Sequence, residues 1–177
     1  NKKIWKIEEV DKTKDKLYCI LKYTSVHLEE GYPGNLDCTV VYSLTNKNEI
    51  IIDFYAESDQ DTLVNLTNHN YWNFHGHRKF YQKNLGHNVQ ILSNSYCEID
   101  RNYIPTGKII NCNKTKYDFS SCKKISSYEL KDNGIDVYYL VKEHDGTIKK
   151  IASVYSDKTK MGVNILSDQP GVQFYTG

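Results

Sequence analysis

The chain has 177 residues, 39% of them hydrophobic and 25% charged, which is ordinary for a globular protein and enough for one domain with a core. A formal net charge of +1 predicts no basic surface, so nucleic acid and anionic membranes are not expected as partners. No apolar run approaches the roughly 18 residues that a membrane-spanning helix needs. The opening residues do not have the pattern of a signal peptide.

The cysteines indicate a reducing compartment. There are five, an odd number, and no two of them form a C-x-x-C pair. This spacing predicts unpaired thiols in place of a disulfide framework or a structural zinc site. We therefore expect a cytoplasmic protein.

The first part of the chain has the composition of β-strands separated by turns. Residues 17–25 and 36–44 are expected strands, with a turn at 31–34 between them. Asn46-Lys47-Asn48 predicts a short turn, after which residues 49–56 return as the second strand of a hairpin. Residues 61–67 are also strand-like.

The second part continues the same pattern. Asp145-Gly146 has the composition of a tight hairpin turn between two of its strands. Residues 120–130 are the one modest candidate for a helix or a 3₁₀ turn. Further strands are expected at 89–92, 98–103, 135–141, 148–155, 161–166 and 172–175.

Many short strands at regular spacing predict an all-β sandwich or barrel. The chain has no linker rich in glycine, proline or serine and no internal repeat. We therefore expect residues 1–177 to form one domain, or part of one, without an internal boundary.

The sequence NLTNHNYWN places a histidine among amides and aromatic rings. Because imidazole titrates near neutral pH, His69 is a candidate proton donor, with a core histidine bonded to backbone as the alternative. Asn68 and Asn73 can fix the imidazole tautomer or bind hydroxyl groups. Tyr71 and Trp72 offer flat faces to the C–H surface of a sugar ring, or else pack in a core.

Two further segments combine polar groups with turns. Asp136 follows Asp132-Asn133-Gly134, which is either a plain polar turn or a loop that presents a carboxylate to vicinal hydroxyls. Gln173 lies in QPGVQFYTG, where amides again alternate with aromatic rings.

The remaining histidines of interest are His75, His77 and His87. No carboxylate or cysteine partners stand at the spacing of a zinc site, so we expect no metal. A loop cluster of histidines in solvent is the favoured interpretation.

Five segments resemble motifs of the aldose 1-epimerase (galactose mutarotase) family, and they occur in the family's order. They are EEGYPG (29–34), NLTNHNYWN (65–73), IPTG (104–107), DNGID (132–136) and QPGVQFYTG (169–177). The resemblance implies that family's large antiparallel β-sandwich. Because the family proteins are longer, it implies only part of that sandwich, cut at both ends.

The resemblance also implies an isomerase that interconverts the α and β anomers of free glucose or galactose. A histidine protonates the ring oxygen while a glutamate takes the proton of the C1 hydroxyl, and neither cofactor nor metal takes part. Carried over by motif, His69 would be the catalytic acid. Asp136, Gln173, Asn68 and Trp72 would bind the sugar, which is the one partner expected.

Three departures from the family pattern leave alternatives open. The second active-site histidine and the catalytic glutamate fall outside the matched motifs, and the family's histidine after the aspartate is Val137 here. A non-catalytic carbohydrate-binding protein on the same fold is one alternative. A hexose-6-phosphate epimerase is another, although the sequence offers only Arg78 and Arg101 to hold a phosphate. Sugar preference and oligomeric state do not follow from the sequence.

Overall fold

The computed structural model describes residues 3–76, 85–126 and 134–176. The chain divides into two compact units, Asn1–Asn70 and Tyr71–Gly177. The described residues contain twelve β-strands and one 3₁₀ helix, and every strand pair is antiparallel. The all-β prediction is confirmed. The assignment of a single domain without an internal boundary stays a prediction.

The first unit is a four-stranded sheet in the order β1-β2-β3-β4. The predicted hairpin is confirmed, with β3 and β4 joined by a turn in which Asn48 adopts φ 60°. The first strand escaped prediction because its sequence KIEEVDK is polar and all seven of its residues are exposed. The strands are β1 (Lys6–Lys12), β2 (Lys16–Ser25), β3 (Leu36–Thr45) and β4 (Ile50–Ser58).

The EEGYPG segment forms the predicted turn between β2 and β3, with a 3₁₀ helix at Glu29–Gly31. The Glu29 carboxylate accepts hydrogen bonds from Lys3 Nζ at 2.7 Å and from the Tyr23 hydroxyl at 2.6 Å. The bond from Lys3, and after it the bond from Tyr23, lowers the pKa of the Glu29 carboxyl. Gly34 adopts φ +82°, and a Cβ there would lie 2.6 Å from Ser58 Oγ, so this turn has no room for a side chain.

The strand expected at residues 61–67 does not form, because residues 61–73 have no regular secondary structure. Leu63 and Val64 are adjacent and both exposed, at 79% and 49%, so the apolar pattern does not alternate between a buried and an open side. Among the described residues, β4 pairs only with β3. Strand-like composition without a neighbouring ladder is not enough to make a strand.

The second unit contains two four-stranded sheets, in the orders β11-β10-β5-β8 and β12-β9-β6-β7. Its strands are β5 (His87–Ile91), β6 (Ser95–Ile99), β7 (Pro105–Asn111), β8 (Lys123–Lys124), β9 (Asp136–Leu140), β10 (Lys149–Ser156), β11 (Gly162–Ser167) and β12 (Gly171–Tyr175).

The core of this unit lies between its two sheets. Val89 on β5 and Ala152 on β10 belong to the same buried cluster as Val137 and Tyr139 on β9. Two sheets that share one core form a sandwich, which confirms the predicted architecture. The Tyr139 side chain is fully buried, and its hydroxyl donates to the Tyr117 carbonyl at 2.8 Å, so burial leaves no polar atom of that side chain unsatisfied.

Two local predictions for this unit were wrong, and a third is tested only in part. Asp145-Gly146 lies in a loop that bends at Gly146 and forms no hairpin, because β9 and β10 belong to different sheets. The strand expected at 98–103 is found at Ser95–Ile99, since Asp100 accepts backbone N–H bonds from Asn102 and Ile104 and so ends the strand in a turn. The helix candidate at 120–130 contains β8 and no helix as far as residue 126, and its remainder lies outside the described residues.

All five thiols are unpaired. Within residues 3–76, 85–126 and 134–176, no helix is long and apolar enough to cross a membrane.

Candidate functional site

Strands β9 and β12 carry a polar and aromatic surface on the side turned away from the core. Val137 and Tyr139 are 3% and 0% exposed in the sandwich interior, so the alternate residues Asp136 and Tyr138 face the other way. On β12 the core side is taken by Phe174, which leaves Gln173 and Tyr175 on the opposite side. We call this surface of the two strands the outer face. In the ladder, Tyr175 lies across from Asp136, Gln173 from Tyr138, and Gly171 from Leu140.

Asp136 and Gln173, both predicted as sugar ligands, are brought into direct contact on the outer face. Gln173 Nε2 donates a hydrogen bond to Asp136 Oδ1 at 2.7 Å, on the diagonal of the ladder. Asp136 is half-buried and Gln173 is exposed. A carboxylate accepts at both oxygens, and the glutamine amide adds a carbonyl acceptor. The pair can therefore bind neighbouring hydroxyl groups of one small molecule.

The ladder is closed beside this pair by Thr176 and Ile135. The Ile135 N–H donates to Thr176 Oγ1 at 2.9 Å, and the Thr176 N–H donates to the Ile135 carbonyl at 3.0 Å. Thr176 is 6% exposed, so these bonds are shielded from water. They hold β12 in register with β9, which sets the position of Asp136 opposite Tyr175.

Two aromatic rings adjoin the pair, and one of them is Tyr71, which the sequence offered with Trp72 as a flat face for a sugar. The Tyr71 ring packs at a tilt against Tyr175, with centroids 6.1 Å apart, and Tyr175 is the direct cross-strand neighbour of Asp136. Trp72 instead stacks on Phe74, with centroids 6.0 Å apart and planes 13° from parallel. A role for Trp72 in sugar binding stays a prediction.

Tyr138 was missed by the sequence reading. It lies two residues after Asp136, and in a strand that spacing places both side chains on the same side. Burial raises the pKa of the Tyr138 hydroxyl. The two-residue period of a strand, counted from Asp136, would have identified Tyr138 as a residue on the same side.

His69 and Asn68 belong to the first unit. Asn68 Nδ2 donates to the Tyr42 hydroxyl on β3 at 2.8 Å, so this donor holds the segment to the sheet. His69 is exposed. Asn73, in the second unit, uses its side-chain oxygen to accept the His75 N–H at 3.0 Å, which makes it a turn residue. The catalytic role of His69 and the sugar-binding role of Asn68 stay predictions.

The prediction that His75 and His87 lie in solvent was wrong, because they are 3% and 2% exposed. Their rings stack with centroids 4.0 Å apart, and His87 Nε2 accepts the Phe74 N–H at 3.0 Å. Burial is tolerated because the imidazoles pack face to face and the His87 acceptor is bonded to backbone. His77 lies outside the described residues. The part of the chain that the structure describes contains no group of three or more metal-ligating side chains.

Val137 replaces the histidine of the resembled motif, and the structure shows what that replacement touches. Val137 is part of the buried cluster and lies across from Phe174 in the ladder. Its side chain contributes to the core and not to the outer face. The departure therefore leaves Asp136, Tyr138, Gln173 and Tyr175 where they are.

Known proteins have sequences similar to this chain. The chain is 34% identical over 155 residues to the aldose 1-epimerase of Escherichia coli, a match that covers 84% of this chain and 44% of the relative. It is 36% identical over 155 residues to the galactose mutarotase of Homo sapiens, covering 84% of this chain and 43% of that protein. The chain thus spans less than half the length of these curated relatives.

Solved structures show the same fold. The crystal structure of an aldose epimerase homologue from C. elegans superposes with a TM-score of 0.78 at 22% identity, covering 97% of this chain and 50% of that one. The galactose 1-epimerase of Lactobacillus acidophilus superposes with a TM-score of 0.76 at 22% identity, covering 88% of this chain and 46% of that one. The sequence model described as Aldose 1-epimerase matches residues 1–177. The chain therefore belongs to the aldose 1-epimerase family.

Proposed function

We propose that the protein is an aldose 1-epimerase, which interconverts the α and β anomers of free hexoses such as glucose and galactose, and that residues 1–177 act as part of one mutarotase-like domain. The observation that carries the proposal is the hydrogen-bonded pair Asp136–Gln173 on the outer face. Tyr175 stands directly across from Asp136, with Tyr71 packed against it. A carboxylate, an amide and adjacent rings match the hydroxyl groups and C–H faces of a sugar.

In the proposed reaction, His69 donates a proton to the ring oxygen while a glutamate removes the proton of the C1 hydroxyl. The bond between C1 and the ring oxygen breaks, and an open-chain aldehyde with a new hydroxyl forms. Rotation about C1–C2 and the reverse proton transfers close the ring as either anomer. General acid–base catalysis of this kind is worth about 10²–10⁴ in rate. The motifs matched in residues 1–177 assign neither this glutamate nor a second active-site histidine.

Asp136 and Gln173 have a different task in this proposal. They hold sugar hydroxyls remote from the reacting bond, so that the ring oxygen and C1 hydroxyl are presented in a fixed orientation. Holding a substrate in a reactive geometry lowers the entropic part of the barrier. Asn68 and Trp72 are assigned supporting contacts with the same sugar.

Sugar binding is the first test, and it can use the 177-residue chain. We expect galactose or glucose to give saturation-transfer NMR signals with the wild-type chain and much weaker signals with Asp136→Asn. Asp53→Asn is the matched control, because Asp53 is an exposed aspartate on β4 of the other unit. Equal signals from all three proteins would contradict the assignment of Asp136.

Catalysis is tested on the longest natural polypeptide that contains this chain, with its intact mass measured first. Polarimetry should show faster mutarotation of α-D-galactose than in buffer, and His69→Ala should remove most of the increase. His144→Ala is the control, since His144 is also exposed. Sugar binding without any acceleration would favour the non-catalytic carbohydrate-binding alternative. Unchanged activity in His69→Ala would refute the assigned acid.

A further inference from the structure

The Tyr138 ring packs closely against Gly171 on the outer face. A Cβ added to Gly171 would overlap the Cζ and Cε1 atoms of the Tyr138 ring and lie 2.5 Å from its hydroxyl oxygen. The ring therefore occupies the space that a side chain at position 171 would fill. Any residue other than glycine at 171 must displace this ring.

The register of the two strands shows what the displaced ring would meet. Tyr138 lies directly across from Gln173, and cross-strand neighbours have Cβ atoms about 4.5–5.5 Å apart. The two side chains avoid each other by leaning in opposite directions along the ladder. Gln173 reaches diagonally to Asp136, and Tyr138 reaches diagonally over Gly171.

Room, and not backbone freedom, is what glycine provides at position 171. The φ angle of Gly171 is not in the positive range, so alanine can adopt the same backbone conformation without strain. The atoms that a new Cβ would meet belong to the far end of the Tyr138 side chain. An alanine there shifts the ring and leaves both backbones in place.

We propose that Gly171 is a positioning residue of the sugar site and that it acts by giving the Tyr138 ring a place away from Gln173. Gly171 accommodates the Tyr138 ring, which keeps the ring away from Gln173 and lets the glutamine amide hold Asp136 Oδ1. The other carboxylate oxygen is thereby aimed at the ligand. This inference rests on the proposed function for the role of the pair, whereas the packing that it describes does not require a sugar.

The test uses Gly171→Ala, Tyr138→Ala and the double variant. The first readout is the side-chain NH₂ resonance of Gln173 in the sugar-free protein, identified by its loss in Gln173→Leu. Gly171→Ala should move this resonance towards its position in Asp136→Ala, because the displaced ring breaks the Gln173–Asp136 bond. The double variant should return it to the wild-type position, because the small side chain at 138 no longer competes for the space.

The second readout is galactose affinity. Gly171→Ala should weaken binding about tenfold, the effect of losing one hydrogen bond to a charged group, and the double variant should recover most of the loss. Thermal unfolding checks that all variants are folded.

Two results would overturn the proposal. One is a Gln173 resonance that does not respond to Gly171→Ala, and the other is a double variant no better than Gly171→Ala alone. If the wild-type protein binds no sugar while the Gln173 resonance responds and is rescued as described, the proposed function fails and the packing relation stands.

Discussion

Replacing Tyr139 by phenylalanine should destabilise the protein near neutral pH and have little effect on its stability in alkali. Tyr139 is fully buried, and its hydroxyl donates to the Tyr117 carbonyl at 2.8 Å. Phenylalanine fills nearly the same volume but leaves that carbonyl without its donor. We expect Tyr139→Phe to lower the free energy of unfolding by about 1–2 kcal/mol at pH 8.

The same burial predicts that the stability advantage of the wild type over Tyr139→Phe shrinks as the pH rises above about 10. Burial, and after it the charge of a Cys112 thiolate, raises the pKa of the Tyr139 hydroxyl far above its usual value. Because the folded pKa is raised, the stability contributed by protonated Tyr139 is complete below about pH 10 and is lost as the pH rises towards the folded pKa. At pH 11 ionisation in the unfolded chain costs the wild type about 1.4 kcal/mol. The variant lacks this group, so the two proteins should have nearly equal stabilities at pH 11.

Urea unfolding at pH 8 and pH 11 measures both numbers. Other tyrosines titrate in both proteins, so their effect cancels in the difference. Tyr103→Phe, at a residue that is 56% exposed, is the control and should track the wild type at both pH values. A gap between wild type and Tyr139→Phe that stays constant from pH 8 to pH 11 would refute this reasoning.

Two further substitutions probe the sandwich. His87 is only 2% exposed, accepts a backbone N–H bond and stacks on His75. His87→Leu removes both interactions and should lower the free energy of unfolding by about 2–3 kcal/mol. A melting temperature unchanged from wild type would contradict this expectation. Gly162→Ala places a Cβ 2.6 Å from the Val154 carbonyl oxygen, and since backbone cannot swing aside it should cost about 1–3 kcal/mol by denaturant titration. Gly171→Ala, whose clash is with a side chain, is its control and should cost much less.

Strand composition was enough to predict most of the strands. It was not enough where the outcome depends on which distant strand a segment pairs with. Residues 36–44 and 49–56 read correctly because alternation and a short turn act locally. Asp145-Gly146 has the same kind of local signal, but its flanking strands pair with other strands, and a turn sequence carries no information about distant partners. β1 was not predicted because it is a polar edge strand. Such a strand is held by the hydrogen bonds of its ladder and not by burial, so its sequence shows no apolar alternation.

The candidate site was predictable only in the residues that the recognised motifs contain. Asp136 and Gln173 were identified through motif resemblance, and their contact then followed from the register of β9 and β12. Tyr138 carries no motif, and the space above Gly171 depends on a cross-strand diagonal that one strand's sequence does not encode. His75 and His87 were misjudged because nothing in their spacing reveals that they stack away from water.

The five residues of β9 serve two purposes that have no side chains in common. Val137 and Tyr139 are interior residues, while Asp136 and Tyr138 lie on the opposite side. A substitution on one side should therefore have little consequence for the side chains on the other. Insertion or deletion of a single residue has no such freedom, because a shift of one position turns every side chain over. Such a change would bury the carboxylate and expose Val137 and Tyr139 at once, so the length of this strand should be more constrained than the residues on either side of it.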